Sequence, residues 1–208
     1  VVDHASVLQA GVAALALKPD TERIKRLLAH VDLLRKWNRI YNLVAVADMG
    51  EILSAHVLDS LSVHSYVRGV KVVDVGSGAG FPGIPLAIFQ PEKQFVLLET
   101  RRKKVRFLHQ VVIELGLSNV NIAHTRVEQY PEQECFDTVM SRAFASLERF
   151  ILVAGRLCKH SGSLLAMKGM YPTAELEVTP AEFKLIVVAR LVVPGLERER
   201  HVVELLKL

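Results

Sequence analysis

Val72–Leu86 reads VVDVGSGAGFPGIPL, and the 208-residue chain is organised around it. Val72, Val73 and Val75 form an apolar, β-branched run of the kind buried in a parallel sheet. Glycines follow at alternate positions, Gly76, Gly78 and Gly80. After Phe81-Pro82-Gly83 the pattern turns helical through Ile84, Leu86, Ala87 and Ile88. A strand, a glycine turn and a helix in that order build a pocket. Glycine lets the backbone bend sharply and approach a ligand, and the first helical turn presents unpaired N–H groups to it.

Spacing narrows the ligand. A dinucleotide fingerprint is G-x-G-x-x-G, and with Gly76 and Gly78 as its first glycines Phe81 would stand where the third belongs. The stretch reads instead Asp-x-Gly-x-Gly-x-Gly from Asp74 to Gly80. It resembles the first motif of S-adenosylmethionine (SAM)-dependent methyltransferases, whose glycine turn lies against the methionyl and ribose parts of the cofactor. Gly76, Ser77, Gly78 and Gly80 are thereby cofactor-binding candidates; a plain tight turn without a ligand is the other reading.

Half of the residues are apolar, enough for a sizeable core. Twenty-six basic against twenty-two acidic residues give +4 and a pI near 9.1. That balance permits a nucleic-acid partner without demanding one. Cys135 and Cys158 fit no metal or redox spacing, so a reducing compartment and no metal are expected. No apolar run approaches the roughly 18 residues of a membrane span, and no signal-peptide pattern is visible. The expectation is a cytoplasmic protein with no membrane partner, and nothing points beyond a monomer. The chain opens on Val1 rather than Met, which leaves its true start open.

Residues 1–66 read as an N-terminal helical cap and 67–208 as a methyltransferase domain. Val7, Leu8, Gly11, Val12 and Leu15 recur at helical spacing. Asp20 or Thr21 can cap a second helix, with Ile24, Leu27, Leu28, Val31 and Leu34 on one stripe, ending near Trp37-Asn38. A third helix is expected over 49–66. On it His56, Asp59 and Ser60 share a face, either as a polar patch joining cap to domain or as a border of the substrate pocket. From Lys71 strands alternate with helices, implying a parallel sheet: strands over 94–98, 120–123, 136–140 and 163–167, and helices over 101–115 and 147–157. Residues 170–182 read as a loop with a short helix. Strands over 184–193 and 201–206 have so short a connection that they must pair antiparallel. This is the α/β layout of class I SAM-dependent methyltransferases: Rossmann-like, mostly parallel, with a C-terminal antiparallel strand.

Glu99 lies 23 positions past Gly76, at the end of the second strand, where an acid in nucleotide-binding α/β folds accepts hydrogen bonds from ribose hydroxyls. Val127 and Glu128 are placed to meet the adenine. Arg101, Arg102, Lys103, Lys104 and Arg106 form the densest charge cluster. It is either a solvated helix face or, starting as it does at the cofactor strand end, a phosphate-binding one. Arg126, Arg142, Lys168 and Arg200 add cations at other strand ends or loops, and such a ring reads best as an RNA backbone funnel.

The target atom can be narrowed. Exocyclic amines usually call for an Asn- or Asp-Pro-Pro-aromatic turn after the fourth strand; here that turn is Ser141-Arg142-Ala143-Phe144. Carbon methylation of a pyrimidine needs a thiolate, and neither cysteine is well placed. Guanine N7 carries a free lone pair and needs no general base. Phe144 is either a stacking platform for a splayed base or a core residue.

Trp37-Asn38-x-x-Tyr41-Asn42-Leu43, His56-x-x-Asp59-Ser60, Asp74–Gly83, Arg126-Val127-Glu128, Ser141-Arg142-Ala143-Phe144-Ala145 and Lys168-Gly169 occur together and in order. The set resembles the bacterial small-subunit rRNA guanine-N7 methyltransferases, the RsmG or glucose-inhibited division protein B family. The resemblance implies SAM as donor, S-adenosylhomocysteine as product, and guanine 527 in the 530 loop of 16S rRNA in the small ribosomal subunit as acceptor. It implies cofactor contacts at Gly76, Phe81, Val127, Glu128 and Arg142, catalytic roles for Arg126, Arg142 and Lys168, and RNA contacts at Lys103, Lys104, Arg106 and Arg200. Ser77 and Phe81 stand where Thr and Leu are commonest, and Glu99 where Asp is. A small-molecule methyltransferase and a ribosome-assembly protein with a vestigial cofactor site are the competing readings.

Overall fold

A helical layer comes first in the computed structural model, which describes residues 3–45, 48–142, 144, 146–176 and 179–208. Asp3 accepts the Ala5 N–H at the start of α1 (His4–Ala14), and Asp20 accepts those of Glu22 and Arg23 at the start of α2 (Thr21–Tyr41). Helix α2 runs about a turn beyond its expected end. Trp37 lies 5.3 Å from the Tyr41 ring and packs edge-on against Phe107 at 5.6 Å, so ring packing outweighs the locally bonding polar groups there. Asn42, at φ 48°, closes the helix in the left-handed conformation.

The expected third helix is not uniform. It consists of α3 (Met49–Ile52), a π-helical turn (Leu53–Leu58) and α4 (Asp59–Leu61), with a separate 3-10 turn at His64–Tyr66. Hydrogen bonds from each residue to the fifth one back widen the π turn and re-aim its side chains, a device common at functional sites.

Strands β1 (Lys71–Val75), β2 (Gln94–Leu98), β3 (Val120–Ala123), β4 (Phe136–Ser141), β5 (Cys158–Lys168), β6 (Phe183–Arg190) and β7 (His201–Lys207) form one sheet in the order β3-β2-β1-β4-β5-β7-β6. The first five are parallel, and β7 runs antiparallel between β5 and β6. Helices α5 (Gly83–Phe89), α6 (Arg102–Leu115) and α7 (Leu147–Ala154) cross over between strands, and the short α8 (Thr173–Leu176) follows β5. Strand β5 begins at Cys158 rather than Ser163, because its first turn of exposed polar residues carries no apolar alternation. Strand β6 stops at Arg190 rather than Val193: Leu191 N–H donates to Arg200 O, and Leu191 and Val193 pack inward as loop residues. Ala143 and Ala145 of the turn after β4, and residues 177 and 178 of the 170–182 stretch, lie outside the described residues.

Strand order reverses beside β1, and ligands of such sheets lie at the carboxyl ends of the strands there. One apolar cluster joins Leu8, Leu27 and Val57 of the helical layer to Ile84, Phe95 and Phe107 of the sheet unit. A second, including Val73, Val139, Phe150 and Leu164, fills the other face. Position 66 thus divides the sequence but not the core.

Candidate active site

Gly76, at φ 76°, turns the chain out of β1 in a conformation that disfavours side chains. The N–H groups of Gly76 and Ser77 donate to Leu98 O at 2.9 and 3.1 Å, which ties the turn to the end of β2. Glu99 fixes it further. Its Oε2 accepts the Gly78 N–H at 3.0 Å, and its Oε1 accepts those of Thr100 and Arg101, each at 2.8 Å. Asp74 is fully buried and takes the Gly83 N–H at 3.0 Å. Burial lifts its carboxyl to about 7, against the opposing pull of the Gly83 and Ser77 hydrogen bonds. A Cβ at Gly83 would collide with Leu97 and Asp74, so the helix starts hard against the strand.

A cavity of about 240 Å³ opens beside this turn, lined by Gly76, Glu99, Arg126, Val127, Glu128 and Phe144, among others. Its donor set suits an adenosine-type cofactor. Glu99 Oε2 has one donor and keeps an acceptor site for a hydroxyl, Val127 supplies an apolar wall, and Gly76 offers backbone without a side chain. Ser77 is buried and spends its hydroxyl on Asp74 O at 2.9 Å. Phe144 is on this side, tilted against Phe150 at 5.2 Å. Glu128 sits 3.6 Å from Arg149.

A second cavity, of about 380 Å³, is lined by His56, Asp59, Arg142, Lys168, Arg198 and Arg200, among others. Its cations are matched by acids. Asp59, completely buried, accepts from Arg142 Nη1 at 3.2 Å and from Arg200 Nε at 3.0 Å. Arg142 also donates to Ala55 O at 3.2 Å and bonds His56 Nδ1 at 3.1 Å. Arg198 pairs with Glu51 at 2.9 Å, and Lys168 with Glu175 at 2.8 Å. Burial raises the Asp59 carboxyl, and the two guanidiniums oppose the rise.

Between the layers three rings stack. Phe81 lies 4.8 Å from His30 and 5.1 Å from His56, with the Arg142 guanidinium 5.6 Å over it. His30 Nε2 reaches Ala79 O at 2.9 Å. Burial holds both imidazoles near 4, and for His56 the Arg142 and Arg200 charges add to it. The Phe81 side chain therefore packs into the helical layer, only 3 % exposed.

The sequence-derived candidates thus divide. Gly76, Glu99, Arg126, Val127 and Glu128 surround the first cavity; Arg142, Lys168 and Arg200 surround the second. Lys103, Lys104 and Arg106 stand on α6, with Lys103 Nζ donating to Tyr41 O at 2.7 Å. Lys104 is half-buried and its ammonium is pushed down, by burial first and then by Arg101 and Lys103, while Glu99 opposes. Glu51, Glu175 and Arg198 escaped the sequence reading, because each acquires its place only through a partner distant in the chain. The spacing of His56 and Asp59 was legible, but the π turn that aims them leaves no periodic signal. Among the described residues no group of three His, Cys, Asp or Glu side chains could hold a metal ion.

Some known proteins share much of this sequence, and others share the fold. The sequence model of the GidB family, described as rRNA small subunit methyltransferase G, matches residues 23–203. The chain is 48 % identical over 200 residues to ribosomal RNA small subunit methyltransferase G of Nitrosococcus oceani, covering 96 % of this chain and 94 % of that one. Its identity to the protein of that name from Methylococcus capsulatus is 47 % over 199 residues, covering 96 % and 97 %. Among solved structures, a SAM dependent methyltransferase from Aquifex aeolicus superposes with a TM-score of 0.58 at 18 % identity, covering 77 % of this chain and 94 % of that one. M. jannaschii TYW2 in complex with AdoMet gives 0.58 at 16 % identity, covering 79 % of each chain. The fold is that of the class I SAM-dependent methyltransferases.

Proposed function

The chain belongs to the rRNA small subunit methyltransferase G family, and on that premise we propose that it transfers a methyl group from SAM to N7 of a guanine in the 530 loop of 16S rRNA. The observation that carries the reading is a pair of cavities at one end of the sheet, one lined by Phe144 and the other by Arg142. When bound, SAM supplies an electrophilic methyl on a sulfonium. Gly76, Val127 and Glu99 would hold its adenosine part, and the backbone of the glycine turn its methionyl part. Arg142 and Lys168 face the other cavity and would take guanine O6, and Arg126 stands at the first.

The state of the acids and bases supports an N7 target. Among the described residues, the carboxylates lining the second cavity are Glu51 and Asp59, and both are engaged by guanidiniums. His56 stays neutral down to about pH 4, and its Nδ1 is occupied by Arg142. Among the described residues lining this cavity, none of the carboxylates nor His56 is left free to act as a general base, and N7 requires none. Cys135 and Cys158, their thiols lifted by burial to about 11 and about 12, line neither cavity, so a thiolate route to a pyrimidine carbon lacks its nucleophile. What remains is orientation of the base against the methyl, which alone can supply roughly 7–11 kcal/mol. The exposed cations Lys103 and Arg106 would meet the RNA backbone. The proposed partner is the small ribosomal subunit and the proposed acting form a cytoplasmic monomer; no helix among the described residues is long and apolar enough to cross a membrane.

The test is methyl transfer from labelled SAM to small subunits, followed by strand cleavage at 7-methylguanine. Label confined to one guanine of the 530 loop is expected. Label on free nucleosides, on another atom, or none despite cofactor binding would refute the proposal.

A further inference from the structure

Just past Lys168 and Gly169, which line the second cavity, the chain exposes two large apolar side chains in succession: Met170 at 79 % and Tyr171 at 52 %. Tyr171 is held in place on two sides. The Tyr171 ring stands edge-on to His201, 5.6 Å between centroids and at 87°. His201 is buried, opposite Lys168 in the β5–β7 ladder, and its Nδ1 lies 3.2 Å from Gly169 O. On the other side Tyr171 O accepts the Thr173 N–H at 3.1 Å, and Pro172 O accepts that of Glu175 at 3.0 Å. Glu175 returns to Lys168. This perpendicular contact fixes the ring while the residue keeps 52 % of its surface open to solvent. At Gly169, which lies between Lys168 and this pair, a Cβ would meet nothing within 4 Å, so the surface is open there.

We propose that Tyr171, flanked by Met170, is the stacking platform for an unpaired RNA base brought to the second cavity. The inference rests on the rRNA methyltransferase reading and adds a residue that positions its substrate. The charge pattern favours a base over a phosphate there. Arg142 and Arg200 share Asp59, Arg198 has Glu51 and Lys168 has Glu175, so every one of these cations already has a carboxylate partner and the four carry a surplus of only one positive charge. Such a wall suits the polar edge of a base, and an aromatic face at its mouth suits the base plane. Phe144, the aromatic candidate read from the sequence, lines the other cavity instead.

Initial rates of methyl transfer to small ribosomal subunits, together with S-adenosylhomocysteine titrations, compare wild type with Tyr171→Phe, Tyr171→Leu and Tyr171→Ala. Stacking on one base predicts that Ala and Leu lower kcat/KM for subunits by roughly five- to 150-fold, while Phe restores it and cofactor affinity is the same in all four. A Tyr171→Trp variant gives a direct reading: its emission, corrected for that of Trp37 in the wild type, is quenched when subunits are added. It also keeps the test open should Ala fail to fold. Full activity in Ala, full activity in Leu, a Phe variant as impaired as Ala, or no quenching would overturn the platform. An inactive wild type would overturn the underlying function instead, so the two failures are distinct.

Discussion

Asp59 is the residue on which the second cavity turns. It is buried, carries two guanidiniums from distant points of the chain, one just past β4 and one just before β7, and sits one residue past the π turn. Removing one partner of a buried ion pair leaves the other uncompensated, at a cost of about 3–5 kcal/mol. Arg142 and Arg200 keep 25 % and 20 % side-chain exposure, which puts Asp59→Asn at the low end, about 3 kcal/mol in urea unfolding. The same change should lower kcat for subunits while S-adenosylhomocysteine still binds. Unaltered kcat would make the clamp purely structural. Gly76→Val acts on the other cavity: at φ 76° a β-branched side chain is strained, and cofactor binding by calorimetry should vanish. Binding equal to wild type would remove the glycine turn from the site.

At the scale of elements, two predictions concern helices. The cations at the start of α6 project toward RNA on the proposed reading. Replacing Lys103 and Arg106 by Ala should lower the log–log salt slope of RNA affinity by about 0.7 for each phosphate no longer neutralised. An unchanged slope would return them to a solvated face. The stack of His30, Phe81 and His56 joins α2 and the π turn to the glycine loop, and it makes stability pH-dependent. In the unfolded chain both imidazoles take up protons near 6.5, and in the folded protein only near 4. Unfolding therefore binds protons between those values, and stability falls as pH drops from 6.5 to 4, by about 1.4 kcal/mol per pH unit per histidine. Asp74 works in the other direction. Its folded value near 7 exceeds the ordinary 3.8, so its contribution is present in acid and fades as pH climbs through 7. The difference between wild type and the His30→Gln/His56→Gln double variant isolates the imidazoles. The variant should show the flatter acid limb in urea titrations; identical limbs would contradict the burial of the rings.

The elements themselves were largely legible. Strands β2 and β3 fall where their apolar runs lie, and the short connection before β7 imposed the antiparallel pairing that the sheet has. What escaped was set by distant partners. Trp37 and Tyr41 extend α2 because Phe107 is there to pack against. The π turn leaves the apolar stripe of Ile52, Val57 and Leu61 intact, so periodicity cannot reveal it. Phe81 reads as the tip of a ligand loop until two histidines from other helices enclose it.

Over the whole molecule, the shared core decides how the parts behave. Leu8, Leu27 and Val57 pack in one cluster with Ile84 and Phe107, so the helical layer and the sheet should unfold together. Trp37, the single tryptophan, sits at that interface against Phe107. Its fluorescence and the far-ultraviolet circular dichroism should give one coincident urea transition. A tryptophan change that precedes the dichroism would make the first 66 residues a separate unit. The family was recognisable from six short motifs because four of them, Asp74–Gly83, Arg126–Glu128, Ser141–Ala145 and Lys168-Gly169, fall at or just past the carboxyl ends of strands, where the two cavities open.

The measurement that bears most directly on the central claim is a crystal structure of the protein grown with S-adenosylhomocysteine. The adenosine is expected between Gly76, Glu99 and Val127, with the sulfur turned toward the cavity that holds Arg142 and Lys168. Density elsewhere, or a sulfur facing away from that cavity, would contradict it.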